Sequence, residues 1–221
     1  MKTILNAEKS EILIYDVIGE GFFYGGVSAK AVKAALRDLG PKDVTVRINS
    51  PGGSIFEANA IYNLLKEHEG KVTTIIDSLA ASAASYIAMV GETRKIAANA
   101  MIMIHEPAAV TFGDAAEHQK TAGLLEKLRD VIVNMYRDRS GIEDQQLRSW
   151  MLDETWFTAD ESKEHGFVDE ILPNVGEKTP KEATARWNLS NFRNVPANWL
   201  AANENAATPR LDRMAERLAV A

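Results

Sequence analysis

An α/β fold with a mainly parallel sheet is predicted by three features of the sequence. Short apolar or alternating runs recur at 11–18, 43–49, 71–77 and 101–107, each of strand length. Helical patterns lie between them, from about 28 to 39, from 54 onward, and through the small-residue run 79–91. Stop and start signals sit at the junctions, as at Gly40-Pro41 and Ser54. Strands alternating with helices read as βαβ units, which in one sheet requires parallel pairing.

Each element has its own justification. In 43–49, Val44, Val46 and Ile48 share one face, as a half-buried strand requires. The helix over 28–39 carries Val32, Ala35, Leu36 and Leu39 on one stripe and is closed by Gly40 and Pro41. Ser54 with Glu57 three residues later forms a capping box, after which Ala58, Ile61, Leu64 and Leu65 face inward. Residues 114–139 read as one long helix with Leu124, Leu125, Leu128, Val131, Ile132 and Met135 as its apolar stripe. A second helix covers 143–152, and Thr158 with Glu161 caps a short third one that Gly166 ends. From Pro173 the sequence turns polar and irregular. Near its end, Thr208 and Pro209 sit as N-cap and first turn before Leu211, Met214 and Leu218. The expectation is therefore a domain over 1–172 and a polar, flexible C-terminal appendage over 173–221 with a short terminal helix.

Composition narrows the function. At 221 residues, 46% apolar and 25% charged, the chain is ordinary globular material. A net charge of −6 argues against a nucleic-acid partner. The absence of cysteine excludes a disulfide scaffold, a Cys₄ zinc site and a thiol nucleophile. No apolar leader opens the chain and no stretch approaches 18 uninterrupted apolar residues, so a cytoplasmic protein without a membrane span is expected.

Two stretches hold candidate chemistry. Asn49-Ser50-Pro51-Gly52-Gly53-Ser54 joins a strand to a capped helix, and its paired glycines allow a sharp turn and close approach to backbone N–H groups. A simple tight turn explains it as well as an oxyanion-type donor site does; a nucleotide loop is disfavoured because no G-x-x-x-x-G-K-[ST] or G-x-G-x-x-G occurs. In Ala80-Ala81-Ser82-Ala83-Ala84 a serine follows a strand and opens a helix between small neighbours, the requirement of a nucleophile elbow. A closely packed helix that merely uses small residues is the commoner explanation of such a run, and Ser78 and Ser85 compete with Ser82. A serine needs a base. His68 and His118 lie in charged helical stretches and His165 precedes a helix-ending glycine, whereas His105 ends the apolar strand MIMI. Catalytic groups in parallel sheets collect at that end of the strands. Zinc fails on spacing, because there is no H-E-x-x-H and no second histidine near His105. No metal and no cofactor are expected.

Taken together, I-N-S-P-G-G-S (48–54), L-A-A-S-A (79–83), M-I-H-E-P (103–107) and W-F-T-A-D-E-S-K-E-H-G-F-V-D (156–169) resemble, in order, the proteolytic subunit family of Clp protease (ClpP). The resemblance covers roughly residues 10–172. It implies a crotonase/ClpP-like fold with a protruding long handle helix, face-to-face heptameric rings, and an acyl-serine mechanism on protein or peptide substrates. Carried over by position, Ser82 is the nucleophile, His105 the general base, and the Gly53 and Ala83 N–H groups the oxyanion hole. Counting back without gaps from Phe157-Thr158-Ala159 and Gly166 puts Glu154 where the family carries its orienting aspartate. Asp153, one residue off, is the alternative. Substrate would lie extended between Gly52–Ser54 and the stretch after Pro107, adding a strand by backbone pairing.

The short start, the GxVSAKAV-type first helix and the segment after 172 look more like the ClpP-related head-maturation proteases of phages and prophages, which cleave scaffold or capsid proteins. The family's pore-lining N-terminal loops are not recognisable, so dependence on an ATP-driven AAA+ unfoldase is not expected. The alternatives are a housekeeping peptidase served by such an unfoldase, a crotonase-like acyl-CoA enzyme, and a non-catalytic ring protein.

Overall fold

The computed structural model describes residues 5–19, 26–173, 187, 189, 192–197 and 199. In chain order the elements are β1 (Leu5–Asn6), β2 (Glu11–Ile14), α1 (Ala29–Leu39), β3 (Val44–Ser50), α2 (Ile55–Lys66) and β4 (Val72–Ala81), then α3 (Ala83–Ala88), β5 (Thr93–Ala97) and β6 (Met101–Ile104). After these come α4 (Ala115–Ser140), α5 (Asp144–Leu152), β7 (Thr155–Phe157), α6 (Ala159–Glu164) and β8 (Glu170–Leu172). The strands form one sheet in the order β1-β2-β3-β4-β5-β8, with β6 added to β4 and β7 to β6. Pairing from β2 through β8 and between β4 and β6 is parallel; β1–β2 and β6–β7 are antiparallel. The α/β class with a mainly parallel sheet is borne out. Among the described residues no helix is long and apolar enough to cross a membrane.

The helices form where the patterns put them. The predicted stripe Val32, Ala35, Leu36 and Leu39 is the buried face of α1. Ser28 caps its start, and Gly40, at φ +66°, returns its N–H to Leu36 and Arg37. On α2 the buried set is Ala58, Ile61, Tyr62 and Leu65, with Leu64 only partly covered. The capping box at 54–57 is half formed: Ser54 accepts from the Glu57 N–H, but the Glu57 carboxylate turns away to take the Ala29 N–H at 2.6 Å. That bond ties the start of α1 to the start of α2. At α6 the Thr158–Glu161 box is complete.

β4 sets the position of everything functional. Its first half pairs with β5 over Thr73–Ile76 and its second half with β6 over Leu79–Ala81. Between the halves the β3 register shifts, from Ile48 opposite Ile76 to Ser50 opposite Ala80, so the strand bends there. Leu79, Ala80 and Ala81 are fully buried. Burial on both faces removes the alternation that marks a strand, which is why the pattern in the sequence stops at Asp77.

α4 stands away from the body along its N-terminal part. Its last turns bury Ile132, Val133 and Tyr136, while Leu124 and Val131 from the predicted stripe remain 48% and 43% exposed.

The far face of the β4–β6 end is covered by residues from beyond 173. Leu189, 2% exposed, packs with Leu79, Ala81, Met101 and Met103, and Trp156, Trp187, Phe192, Val195 and Trp199 close the cluster. The Trp187 indole N–H donates to Asn49 Oδ1 at 3.1 Å. In its described part the predicted appendage thus lies on the domain. Its apolar residues are too widely spaced to lift the polar average of the segment, which is what the composition reported. The terminal helix over 208–218 falls outside the described residues. We expect the folding unit to extend to residue 199. Leu189→Ala should then cost about 2–4 kcal/mol in urea unfolding; a change under about 0.5 kcal/mol would restrict the unit to 1–172.

Candidate active site

Ser82 stands at the point where β4 turns into α3, and the turn is tight. Its φ of +53° and ψ of −125° lie in a region that side chains disfavour, at a cost of about 1–3 kcal/mol. Neighbouring bonds hold it there. The Ser82 N–H donates to Met103 O on β6 at 2.9 Å, and its carbonyl accepts from Ser85 Oγ, which also meets the Tyr136 hydroxyl of α4 at 2.6 Å. Ser85 is thereby a buried brace beneath the turn rather than a second nucleophile, and Ser78 lies within β4.

His105 directly follows β6, the strand that β4 bends to meet, so parallel pairing delivers both residues to the same sheet end. His105 Nε2 lies 2.7 Å from Ser82 Oγ. The next residue anchors the strand end, because the Glu106 N–H donates to Met151 O of α5 at 3.0 Å. Burial pushes the His105 pKa below the ordinary imidazole value; nearby Glu154 opposes this and Arg193 adds to it.

Glu154 and Asp153 part company. Glu154 is 3% exposed, and its φ of +51° marks a left-handed turn between α5 and β7. Asp153 is the C-terminal cap of α5 and is exposed. The Glu154 carboxylate accepts from the Asn194 backbone N–H at 2.7 Å, and its other oxygen is 3.9 Å from Arg193 Nε. Among the described residues His105 makes its hydrogen bond to Ser82, and none joins it to Glu154.

The Gly52-Gly53 turn lies against the serine turn. A Cβ on Gly52 would sit 2.7 Å from Ala81 O, 2.8 Å from Ser82 Cβ and 2.9 Å from Ala83 N, and the residue has a φ of +90°. Only glycine meets both conditions. The Gly53 and Ala83 N–H groups have no hydrogen-bond partner among the described residues. A cavity of about 230 Å³ opens here, bounded by Pro51, Gly53, Ser82, Ala83, His105 and Pro107 among others. Ser54 instead spends its hydroxyl on the first turn of α2. The remaining histidines lie elsewhere: His68 bonds the Lys42 carbonyl, His118 is exposed on α4, and His165 packs on Trp150.

Phe192, Arg193 and Asn194 were missed by sequence reasoning. Phe192 stands edge-on to the His105 ring, centroids 5.7 Å apart, and borders the same cavity. No local signal marks these residues, since only the tertiary fold brings 192–194 to the turn after α5.

A strained serine, a bonded histidine and backbone donors without a partner among the described residues meet at one cavity, the arrangement that serine-type hydrolases use. Comparison with known proteins narrows it. The Clp protease family model matches residues 28–175, and the chain belongs to that family. It is 34% identical over 133 residues to the ATP-dependent Clp protease proteolytic subunit of Bacteroides fragilis, a match covering 59% of this chain and 64% of that one. With the proteolytic subunit 2 of Frankia casuarinae it is 31% identical over 183 residues, 80% of this chain and 83% of the relative. Among solved structures, a mutant of ClpP1 from Listeria monocytogenes superposes with a TM-score of 0.67 at 25% identity, covering 76% of this chain and 94% of that one. The ClpP-like fold is thereby confirmed.

Two outcomes are expected of this geometry. Gly52→Ala should destabilise the protein by about 1–3 kcal/mol in urea unfolding, since the methyl meets backbone on one side and a positive φ on the other. His105 should titrate below the ordinary value of about 6.5 when followed by NMR. Because its folded pKa is depressed, its contribution to stability is complete above the unfolded value and is lost as pH falls through the folded one.

Proposed function

We propose that this protein is a serine endopeptidase of the ClpP type. The observation that carries the reading is the 2.7 Å contact between Ser82 Oγ and His105 Nε2 at a strained turn beside two N–H donors that have no partner among the described residues. Ser82 Oγ bonds to the scissile carbonyl carbon as His105 takes the hydroxyl proton. The Gly53 and Ala83 N–H groups stabilise the oxyanion. His105 then passes the proton to the leaving amine nitrogen as the C–N bond breaks, and water hydrolyses the acyl-serine by the same route. Glu154 orients and stabilises the imidazolium; its burial beside His105 supports it over the exposed Asp153. The substrate peptide runs past Gly52 and Pro107 by backbone pairing.

The subunits associate through α4 into stacked, heptameric rings; the exposed Leu124 and Val131 supply apolar surface for that contact. The substrates are proteins. The resemblance to head-maturation proteases favours scaffold or capsid proteins, processed in the host cytoplasm or within the immature head. The names of the relatives favour a second setting, in which an ATP-driven unfoldase feeds the chamber. A crotonase-like acyl-CoA activity is disfavoured by the serine–histidine contact, and a non-catalytic ring by the same pair.

Mass spectrometry after fluorophosphonate treatment tests the chemistry. A single adduct on Ser82, lost in Ser82→Ala, is expected, with residual peptide hydrolysis in the mutant under about 1%. No adduct on assembled protein would overturn the reading. Glu154→Ala should lower kcat/KM about 100-fold or more, and Asp153→Ala less; the reverse order would move the role to Asp153. Scaffold cleavage without ATP would support the head-maturation setting, and a requirement for ATP and an unfoldase the other.

A further inference from the structure

The turn that carries Glu154 is held by three successive contacts from one distant segment. Arg193 Nη2 donates to Leu152 O at 3.0 Å, the Asn194 side-chain amide donates to Asp153 O, and the Asn194 backbone N–H donates to Glu154 Oε1 at 2.7 Å. The first two satisfy carbonyls at the C-terminal end of α5, which the helix itself leaves open. The third fixes one oxygen of a carboxylate whose own backbone sits in a left-handed conformation, at a cost of about 1–3 kcal/mol unless its surroundings hold it. One residue earlier, Phe192 packs edge-on to His105 and to Trp156, and borders the cavity that contains Ser82.

The anchor of this segment is independent of the site. Leu189, buried, and Val195, partly buried, flank it and belong to the cluster of Met101, Met103 and Trp156 under β4 and β6, so 192–194 is held on both sides by apolar contacts. A short stretch held at both ends presents its amide and its ring with little freedom to lose.

Resting on the serine-peptidase reading above, we propose that residues 192–194 are a built-in part of the active site. In this assignment the Asn194 backbone N–H is a positioning donor for the Glu154 carboxylate, and Phe192 is the wall of the substrate cavity beside His105. Asn194 touches no reacting atom. It acts through Glu154, in the way that outer hydrogen bonds orient the groups that do. Phe192 excludes water from one edge of the imidazole and narrows the space open to a substrate side chain. The charged groups facing His105 are Glu154 from the turn after α5 and Arg193 from this segment, and they act on it with opposite sign.

The test uses the full-length chain and a panel of peptides that vary the residue before the scissile bond. Every variant is first matched to wild type in assembly and melting. Asn194→Pro removes the backbone donor, whereas Asn194→Ala keeps it and loses only the bond to Asp153 O. Asn194→Pro should fall below Asn194→Ala in kcat by roughly 10- to 100-fold, the loss of one hydrogen bond to a charged group, with KM little changed. Phe192→Ala should raise KM unequally across the panel and move the acidic limb of kcat/KM upward, because it uncovers His105. If Asn194→Pro does not fold, Arg193→Gln tests the segment at an exposed position instead: it loses the bond to Leu152 O and the positive charge beside His105, and should move the acidic limb upward. Equal kcat for the two Asn194 variants, a gain in activity on removing the donor, or an acidic limb unmoved in both Phe192→Ala and Arg193→Gln would overturn the proposal. Fluorophosphonate labelling of wild-type Ser82 separates the two readings. A labelled, active wild type with indifferent 192–194 variants sinks only this inference, while an unlabelled wild type sinks the serine reading and this one with it.

Discussion

The approach of two backbone turns is the constraint on which the rest of the structure depends. The Gly52–Gly53 turn and the Ala81–Ala83 turn lie closer than any side chain on the first would allow. Both are the C-terminal ends of neighbouring parallel strands, β3 and β4, and the bulge between Ile48 and Ser50 brings them into contact. A regular pair would carry its strand ends past one another at ordinary sheet spacing, about 4.8 Å. The bend also turns the second half of β4 away from β5 and onto β6, which brings His105 to Ser82. One irregularity in the sheet therefore positions the serine, the histidine and the backbone N–H groups of Gly53 and Ala83 together.

Strain is concentrated at the same place. Among the described residues three non-glycine residues have positive φ, and two of them, Ser82 and Glu154, belong to the candidate site. At about 1–3 kcal/mol each, such conformations persist only where the surroundings over-determine them. Ser82 is held from β6 through Met103 O and from α4 through Ser85 and Tyr136. Glu154 is held from α5 through Met151 O and from the C-terminal segment through Asn194. Each strained residue is fixed from two separate elements, so loosening either element loosens the chemistry.

The parts of this arrangement that rest on local pattern were legible in the sequence. The α1 stripe, the long α4, the Thr158 box and the placement of Ser82 and His105 at strand ends all follow from spacing within a dozen residues. The parts that rest on tertiary partners were not. Thr93–Ala97 carries Arg94 and Lys95 and does not look like a buried strand, yet Arg94 is buried because Asp169 and the carbonyls of Arg139 and Gly166 absorb its guanidinium. The Ser54–Glu57 spacing predicts a local cap, whereas the Glu57 carboxylate serves Ala29, a partner 28 residues away. The choice between Glu154 and Asp153 turned on a count of residues. Burial separates them in the structure, because one side chain lies under the C-terminal segment and the other, on the residue that ends α5, is exposed.

The C-terminal segment shows why average polarity misleads at the edge of a domain. A stretch is scored as flexible when it holds too few apolar groups to offset the entropy of ordering it. That reasoning assumes the segment must form its own core. Here the partner surface already exists: Leu79, Ala81, Met101 and Met103 form one face of the sheet end that must be covered by something. A few well-spaced residues suffice when the other half of the interface is prefolded, and Trp187, Leu189, Phe192, Val195 and Trp199 are such a set. Aromatic side chains bury about 150–250 Å² each. Their spacing sets the path of the chain, and that path crosses the turn bearing Glu154 and the edge of His105. The demand to cover an apolar sheet face and the contact with the reactive groups are met by the same residues, and the polar composition of the segment conceals both.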